Sequence, residues 1–328
     1  MSQPNEPKSS LLTAVERIAA IIDVEKKKIT NRELLELCLS SGIDSLSADP
    51  HLCHELAETA LNHLIRTKYG KVLLDSPHPA LACMEVLRPL QKRLPTQTWR
   101  SSAQITYQQF STPAPIAYLA VYLLNLTSSD IVLEPSSGTG SLAVWARASG
   151  ATVATNEIDS RRHALASVLG FDPAGHDAEF IDDLLPENVT PNVVLANPPF
   201  SSSGGRIERN QNRFGFRHVE SALRRLAVGG RFAVILGESG SPSNLAGKSF
   251  WQSLRDIRLS AAIELPGSEY YKNGTTVGVT LILGRKLGKP IGEESFSEDG
   301  VLTIAALSVE DAFEEALAAG LHLNPFSK

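Results

Sequence analysis

A short apolar run that stops at an acid, turns through two glycines and enters a helix leaves few folds open to a chain. Asp130-Ile131-Val132-Leu133-Glu134 is followed by Pro135-Ser136-Ser137-Gly138-Thr139-Gly140, by a helical stretch from Ser141 to Ser149, and by a second apolar run from Ala151 to Asn156 that ends at Glu157. Strand, glycine turn, helix and strand open a nucleotide-binding β-α-β unit. Gly138 and Gly140 let the backbone turn tightly and approach a ligand, and the N–H groups of the following helix favour an anion. An acid about 20 residues past such a turn can accept from both hydroxyls of a ribose, the role open to Glu157. Gly138, Gly140 and Ala143 with Glu157 also satisfy the dinucleotide fingerprint of a dehydrogenase, so the glycines alone do not choose the cofactor.

A second feature lies downstream. Asn197-Pro198-Pro199-Phe200 follows the apolar run Asn192 to Ala196, which places a rigid tetrapeptide at the end of a buried strand. Each proline restricts the residue before it and lacks an N–H, which leaves the carbonyls of Asn197 and Pro198 as acceptors beside the Asn197 side-chain oxygen. Acceptors aimed at an exocyclic –NH2 would draw its lone pair out of conjugation, and Phe200 offers a stacking face. The bland alternative is a proline-rich turn after a strand.

The combination carries more than its parts. Gln109-Phe110-Ser111-Thr112-Pro113, Glu134 to Gly140 and Asn197 to Phe200, in that order, resemble the amino-group DNA methyltransferases that use S-adenosylmethionine, the N6-adenine enzymes and modification subunits of type I restriction systems among them. Ile181 to Pro186 paired with Asn197 to Ser202 resembles, more narrowly, the methylase portion of strawberry-notch-like methylase–helicase proteins of phages and plasmids. The resemblance implies an α/β fold: a Rossmann-like, seven-stranded class I methyltransferase sheet whose last strand, Gly274 to Leu283, runs antiparallel, after strands at Phe232 to Leu236 and Ala261 to Pro266. It implies S-adenosyl-L-methionine as cofactor, with Thr112 and Pro113 at the methionine end and Glu134 beside the ammonium, next to Pro135, Gly138 and Gly140. Glu157 would hold the ribose and Asp182, or else Asp183, the cofactor's adenine amine. Asn197, Pro198, Pro199 and Phe200 would hold the target. Thr112 is equally placed to cap a helix starting near Pro113.

The implied activity is methylation of adenine N6 in DNA, the amine attacking the methyl group directly. Cys38, Cys53 and Cys83 all precede the catalytic region and read as small apolar filling in helices. RNA or protein-glutamine amino groups are alternative targets, and an inactive cofactor-binding subunit is the non-enzyme alternative.

Charge argues against a free-standing, tight nucleic-acid binder: the 328 residues carry a net −5. The local exception is Ser201 to Arg217, where Arg206, Arg209, Arg213 and Arg217 could meet a phosphate backbone or form a solvated loop. Too few residues follow Phe200 both to complete the sheet and to build a large recognition region. Weak sequence preference is therefore expected, or recognition by a specificity subunit, by the N-terminal helices, or by a C-terminal helicase region outside these residues. Three cysteines at unpatterned spacing suggest a reducing, cytoplasmic setting rather than disulfides or zinc. No apolar run is long enough to span a membrane.

Four regions are expected: a disordered tail over 1–10, a helical domain over 11–100, the methyltransferase domain over 101–288, and a linker with a short helix over 289–328. In the helical part, Leu11 to Ile22 follow helical spacing, Thr30 with Glu33 makes a capping box, Pro50 opens a helix ending near Gly70, and His78 to Leu94 make a fourth. His51 and His54 share a helix face but lack a third metal ligand, and read as surface or half-buried residues.

Overall fold

The capping box sets the start of a helix. In the computed structural model, which describes residues 7–44, 50–97, 110–199, 214–288 and 300–321, Glu33 N donates to Thr30 Oγ1 and Thr30 N to Glu33 Oε2, opening α2 (Asn31–Ser40). Before it, α1 (Pro7–Asp23) buries Val15, Ile18 and Ile22; it begins inside the segment expected to be a disordered tail. Pro50 does open α3 (Pro50–Leu64), but the helix does not stop at Gly70. A π-turn at Ile65–Tyr69 carries it into α4 (Gly70–Leu74). Gly70 is needed inside the helix, because a Cβ there would lie 2.6 Å from the Cβ of Ala148. The fourth helical stretch is α5 (Pro79–Ala82), a second π-turn at Cys83–Leu87, and α6 (Arg88–Arg93). Pro89 has no N–H for the ladder, and the wider turn just before it relieves that loss.

Beyond residue 110, α7 (Ala114–Leu124) leads into a seven-stranded sheet. Its strands are β1 (Ile131–Glu134), β2 (Thr152–Thr155), β3 (Val193–Ala196), β4 (Arg231–Gly237), β5 (Ile257–Leu265), β6 (Val279–Lys286) and β7 (Leu302–Ala305). The order is β2-β1-β3-β4-β6-β5-β7, with β6 antiparallel to both neighbours and every other pairing parallel. The antiparallel strand is the expected one, though it starts at Val279; Gly274 instead ends the helical turn Gly267–Asn273 with φ +84°. The seventh strand is a correction: Leu302–Ala305, expected in a linker, pairs with β5 at the sheet edge. Between β2 and β3 the chain adds no strand to the sheet; its one strand-like pairing there is an isolated bridge, Asn156 with Ala174. The C-terminal helix (Val309–Ala318) appears where expected.

Alternation along the strands divides the core. Val193 and Leu195 of β3 face a cluster shared with α1, α3 and α7, while Val194 and Ala196 face one shared with the helices at Phe214–Arg225 and Leu245–Ser253. The N-terminal helices thus share one apolar core with a face of the sheet. At the N-terminal end of the strands, buried Arg231 binds Asp130 through two hydrogen bonds of 3.0 and 2.8 Å.

Chain order places the site. The chain leaves β1 for β2 on one side and returns to β3 on the other, so a crevice opens at the C-terminal ends of β1 and β3. Glu134 ends β1 and Asn197 follows β3; both sequence motifs therefore border the same crevice.

Candidate active site

The crevice is a cleft of about 480 Å³, within the range of small-molecule sites. Its floor is the glycine loop. Gly138 (φ +54°) and Gly140 (φ +87°) occupy the left-handed region that a side chain disfavours. Gly138 N donates to Glu157 Oε2 at 2.7 Å and Asp159 N to Glu157 Oε1 at 2.8 Å, so the acid ending β2 is held against the loop by backbone donors. Burial pushes its pKa up, while Arg162 and these donors oppose the shift.

Glu134 is buried to 2 % exposure and faces the cleft. Its carboxyl is raised well above the usual range, first by burial and further by the charge of Glu157, against a hydrogen bond from the Ala143 backbone. Its Oε2 makes no hydrogen bond. A buried carboxyl with an orphaned oxygen suits a cationic group brought by a ligand.

Opposite stands the proline wedge. Asn197, Pro198 and Pro199 line the cleft, and Asn197 Nδ2 donates to Phe110 O at 3.2 Å and to Thr112 Oγ1 at 2.8 Å. A backbone carbonyl only accepts, so the –NH2 must face Phe110. The acceptor Oδ1 is left buried without a hydrogen bond, with the buried Tyr270 phenol beside the same amide. Thr112 spends its hydroxyl on Asn197 and does not cap the helix, whose cap position is Pro113. Pro113 lines a smaller neighbouring cavity rather than the main cleft. Gly215 lets the next helix approach: a Cβ there would lie 2.8 Å from the Pro199 carbonyl.

The acids expected at the far end are elsewhere. Neither Asp182 nor Asp183 lines the cleft; Asp182 Oδ1 accepts from Ser221 at 2.6 Å and its other oxygen meets Arg224 at 3.5 Å. The cleft acid there is Asp177, which also caps the turn Ala178–Phe180 through Glu179 N at 3.0 Å. Asn156 sets this loop: Nδ2 donates to Pro135 O and His176 O, each at 2.9 Å, and Oδ1 accepts from His176 N at 2.8 Å. One side chain thereby joins the glycine loop to the Asp177 loop.

Two more cleft residues escaped sequence reasoning. His218 lies 3.2 Å from Ser136 Oγ through Nδ1; burial brings its pKa down to about 4 against the pull of Asp177, so it is neutral. Arg162 reaches the cleft from the helix Ser160–Val168 and donates through Nε to Glu55 of α3 at 2.9 Å. His51 and His54 are fully buried, not half exposed: His51 Nε2 lies 3.5 Å from Glu55, and burial with the nearby His51 brings His54 down to about 4. The three cysteines are buried in the helical part, and Cys38 and Cys53 lie against one another. Phe200, Arg206, Arg209 and Arg213 lie outside the described residues. Arg217 sits 3.3 Å from Glu179. Among the described residues no group of three metal-ligating side chains comes together, and no helix is long and apolar enough to cross a membrane.

No family model and no curated protein matches the sequence. Solved structures do match in shape. A Listeria monocytogenes protein classed with the class I S-adenosylmethionine-dependent methyltransferases superposes with a TM-score of 0.53 at 16% identity, over 99% of this chain and 100% of that one. The fold is that of a class I methyltransferase. The M protein of the type I restriction enzyme EcoKI also matches, with a TM-score of 0.50 at 16% identity, over 97% of this chain and 78% of its own.

Proposed function

We propose that the chain is an S-adenosylmethionine-dependent methyltransferase that acts on the exocyclic amine of adenine in DNA. One observation carries the reading: an amide whose –NH2 is tied to Phe110 O, leaving the buried acceptor Asn197 Oδ1 without a hydrogen bond in the cleft wall, across from the acid-lined glycine loop. Glu134 receives the cofactor's ammonium, Glu157 its ribose hydroxyls, and Asp177, in the role first considered for Asp182, its adenine amine. The bound cofactor supplies an electrophilic methyl group. Asn197 Oδ1 and the Pro198 carbonyl accept from the target –NH2, which leaves its lone pair available for attack. Such a site works by positioning and electrostatics and needs no covalent intermediate on the protein. Pro198 and Pro199 stiffen the wedge, and Phe200 stacks on the base. A paired adenine must leave the duplex to enter. Sequence preference is weak, or is supplied by a specificity subunit or further domain.

Mass spectrometry of nucleosides from DNA incubated with the protein and S-adenosylmethionine tests this. N6-methyladenine is expected, and methylation-sensitive sequencing of the same DNA should find it at many sequence contexts. Transfer confined to RNA or to a glutamine side chain in parallel incubations would move the substrate class, and transfer to a ring carbon would contradict the amine mechanism.

A further inference from the structure

Helix α3 is sunk in the core, yet one of its faces is polar: His51, Glu55, Glu58 and Asn62 follow at intervals of four, three and four residues. Polar groups taken from water cost free energy unless they are hydrogen-bonded, so their partners show what the face is for. Glu55 accepts from Arg162, a residue of the cleft wall. Asn62, 2 % exposed, reaches the glycine loop: its Nδ2 lies 3.2 Å from Ser141 Oγ and 3.4 Å from both the Thr139 carbonyl and Thr139 Oγ1. The carbonyl only accepts, so the –NH2 faces the loop and both hydroxyls are acceptors toward it. A hydroxyl that accepts still has its own proton to give. The two oxygens are 3.5 Å apart and share at most one of those protons, which leaves one for the cleft that both residues line. Thr112 is in the same state, because its Oγ1 accepts from Asn197 Nδ2 at 2.8 Å, and it lines the cleft and the smaller cavity together with Ser141. Three buried hydroxyls are thus set by amides to donate into one space.

We propose that Asn62 is a positioning residue for the cofactor: it turns the Thr139 and Ser141 hydroxyls so that, with Thr112, they donate to the methionine carboxylate. This rests on the S-adenosylmethionine reading, in which Glu134 takes the ammonium and the carboxylate on the same carbon still needs donors. Among the described residues that line the cleft, the one Lys or Arg is Arg162, and its Nε is given to Glu55 at 2.9 Å. Hydroxyl protons therefore meet the anion. Without the Asn62 amide, each hydroxyl could turn its proton to the other oxygen or to the Thr139 carbonyl, and the carboxylate would face lone pairs. The helical N-terminal part, through one side chain of α3, then sets which ligands the glycine loop accepts.

The test is calorimetric titration of the full chain with S-adenosylhomocysteine and with the analogue that keeps its amine and lacks only the carboxylate. Wild type should prefer S-adenosylhomocysteine by on the order of tenfold to a hundredfold, the effect of hydrogen bonds to a charged group. Thr139→Val with Ser141→Ala should remove most of that preference, and Asn62→Leu should cut it by about tenfold, each leaving the analogue's affinity within about threefold. Adding Asn62→Leu to the protein without the two hydroxyls should change the preference by less than about twofold, because the amide then has nothing to orient. Should Asn62→Leu fail to fold, Asn62→Asp, of the same size, takes its place: its carboxylate accepts the hydroxyl protons and should erase the preference. An Asn62 variant that keeps the wild-type preference, or that weakens both ligands equally, overturns the proposal, as does a wild type that does not distinguish the two. Wild type that binds neither ligand overturns the cofactor reading beneath it, and this proposal with it.

Discussion

Glu134 shows how a buried group can report on its ligand. Burial, and then the charge of Glu157, raise its carboxyl and so favour the neutral form, whereas an ammonium partner stabilises the charged form. The sign follows: the charged form gains population as pH rises through the raised pKa, so S-adenosylmethionine should bind more tightly as pH rises through it and should release a proton on binding below it. Calorimetry in buffers of different ionisation heat checks this. Glu134→Gln should lose the proton release and bind on the order of tenfold to a hundredfold more weakly. Asn197→Ala should differ in kind, lowering transfer by about a hundredfold or more while leaving cofactor affinity within about threefold; a parallel loss of binding, measured by the same calorimetry, would make Asn197 a structural residue. These positions were legible in the sequence because each ends a short apolar run, where a strand delivers its next side chain to the crevice. The partners were not. Phe110 O, 87 residues away in the chain, fixes the Asn197 amide, and periodicity says nothing about such a pairing.

At the scale of elements, the β1–glycine loop–β2 unit was readable because all its determinants are local: apolar runs, glycines at left-handed positions and an acid at the right distance. The next acid was not. Between Glu157 and β3 the chain offers Asp177 as well as Asp182 and Asp183, and the choice depends on Asn156 binding both Pro135 and His176. Asp182 is instead satisfied by Ser221 and Arg224. Asp177→Asn should therefore weaken cofactor binding by about tenfold, on the order of one charge-assisted hydrogen bond, while Asp182→Asn leaves it unchanged. Fluorescence or calorimetric titration of the two variants with S-adenosylhomocysteine separates them. Strand β7 was hidden for a similar reason: four residues after a Gly- and Glu-rich stretch carry little strand signal, and the edge of β5 decides their fate.

Across the whole molecule, long-range ion pairs hold the parts in register. Arg88 of α6 binds Glu269 through two hydrogen bonds of 2.7 and 2.8 Å and Glu310 through two of 2.7 Å, joining the N-terminal helices to the Gly267–Asn273 turn and the C-terminal helix. Arg231 and Asp130 lock the opposite end of the sheet; burial would raise Asp130, but the hydrogen bonds of Arg231 and Thr127 outweigh it and hold the carboxyl below its usual value. A depressed carboxylate stabilises the fold above its unfolded pKa and loses that contribution as pH falls through the folded value. Arg231→Met leaves the charge buried and unpaired and should cost about 3–5 kcal/mol in urea unfolding at pH 7. Because the pair lies at the end of the strands away from the cleft, cofactor affinity of the folded variant should be unchanged. The most direct test of the proposed site is a crystal structure of the chain with S-adenosylhomocysteine. The expected result is a ligand in the cleft with its ammonium at Glu134, its ribose at Glu157, its adenine amine at Asp177 and its sulfur toward Asn197. A ligand bound elsewhere, or one whose sulfur faces away from Asn197, would contradict the site.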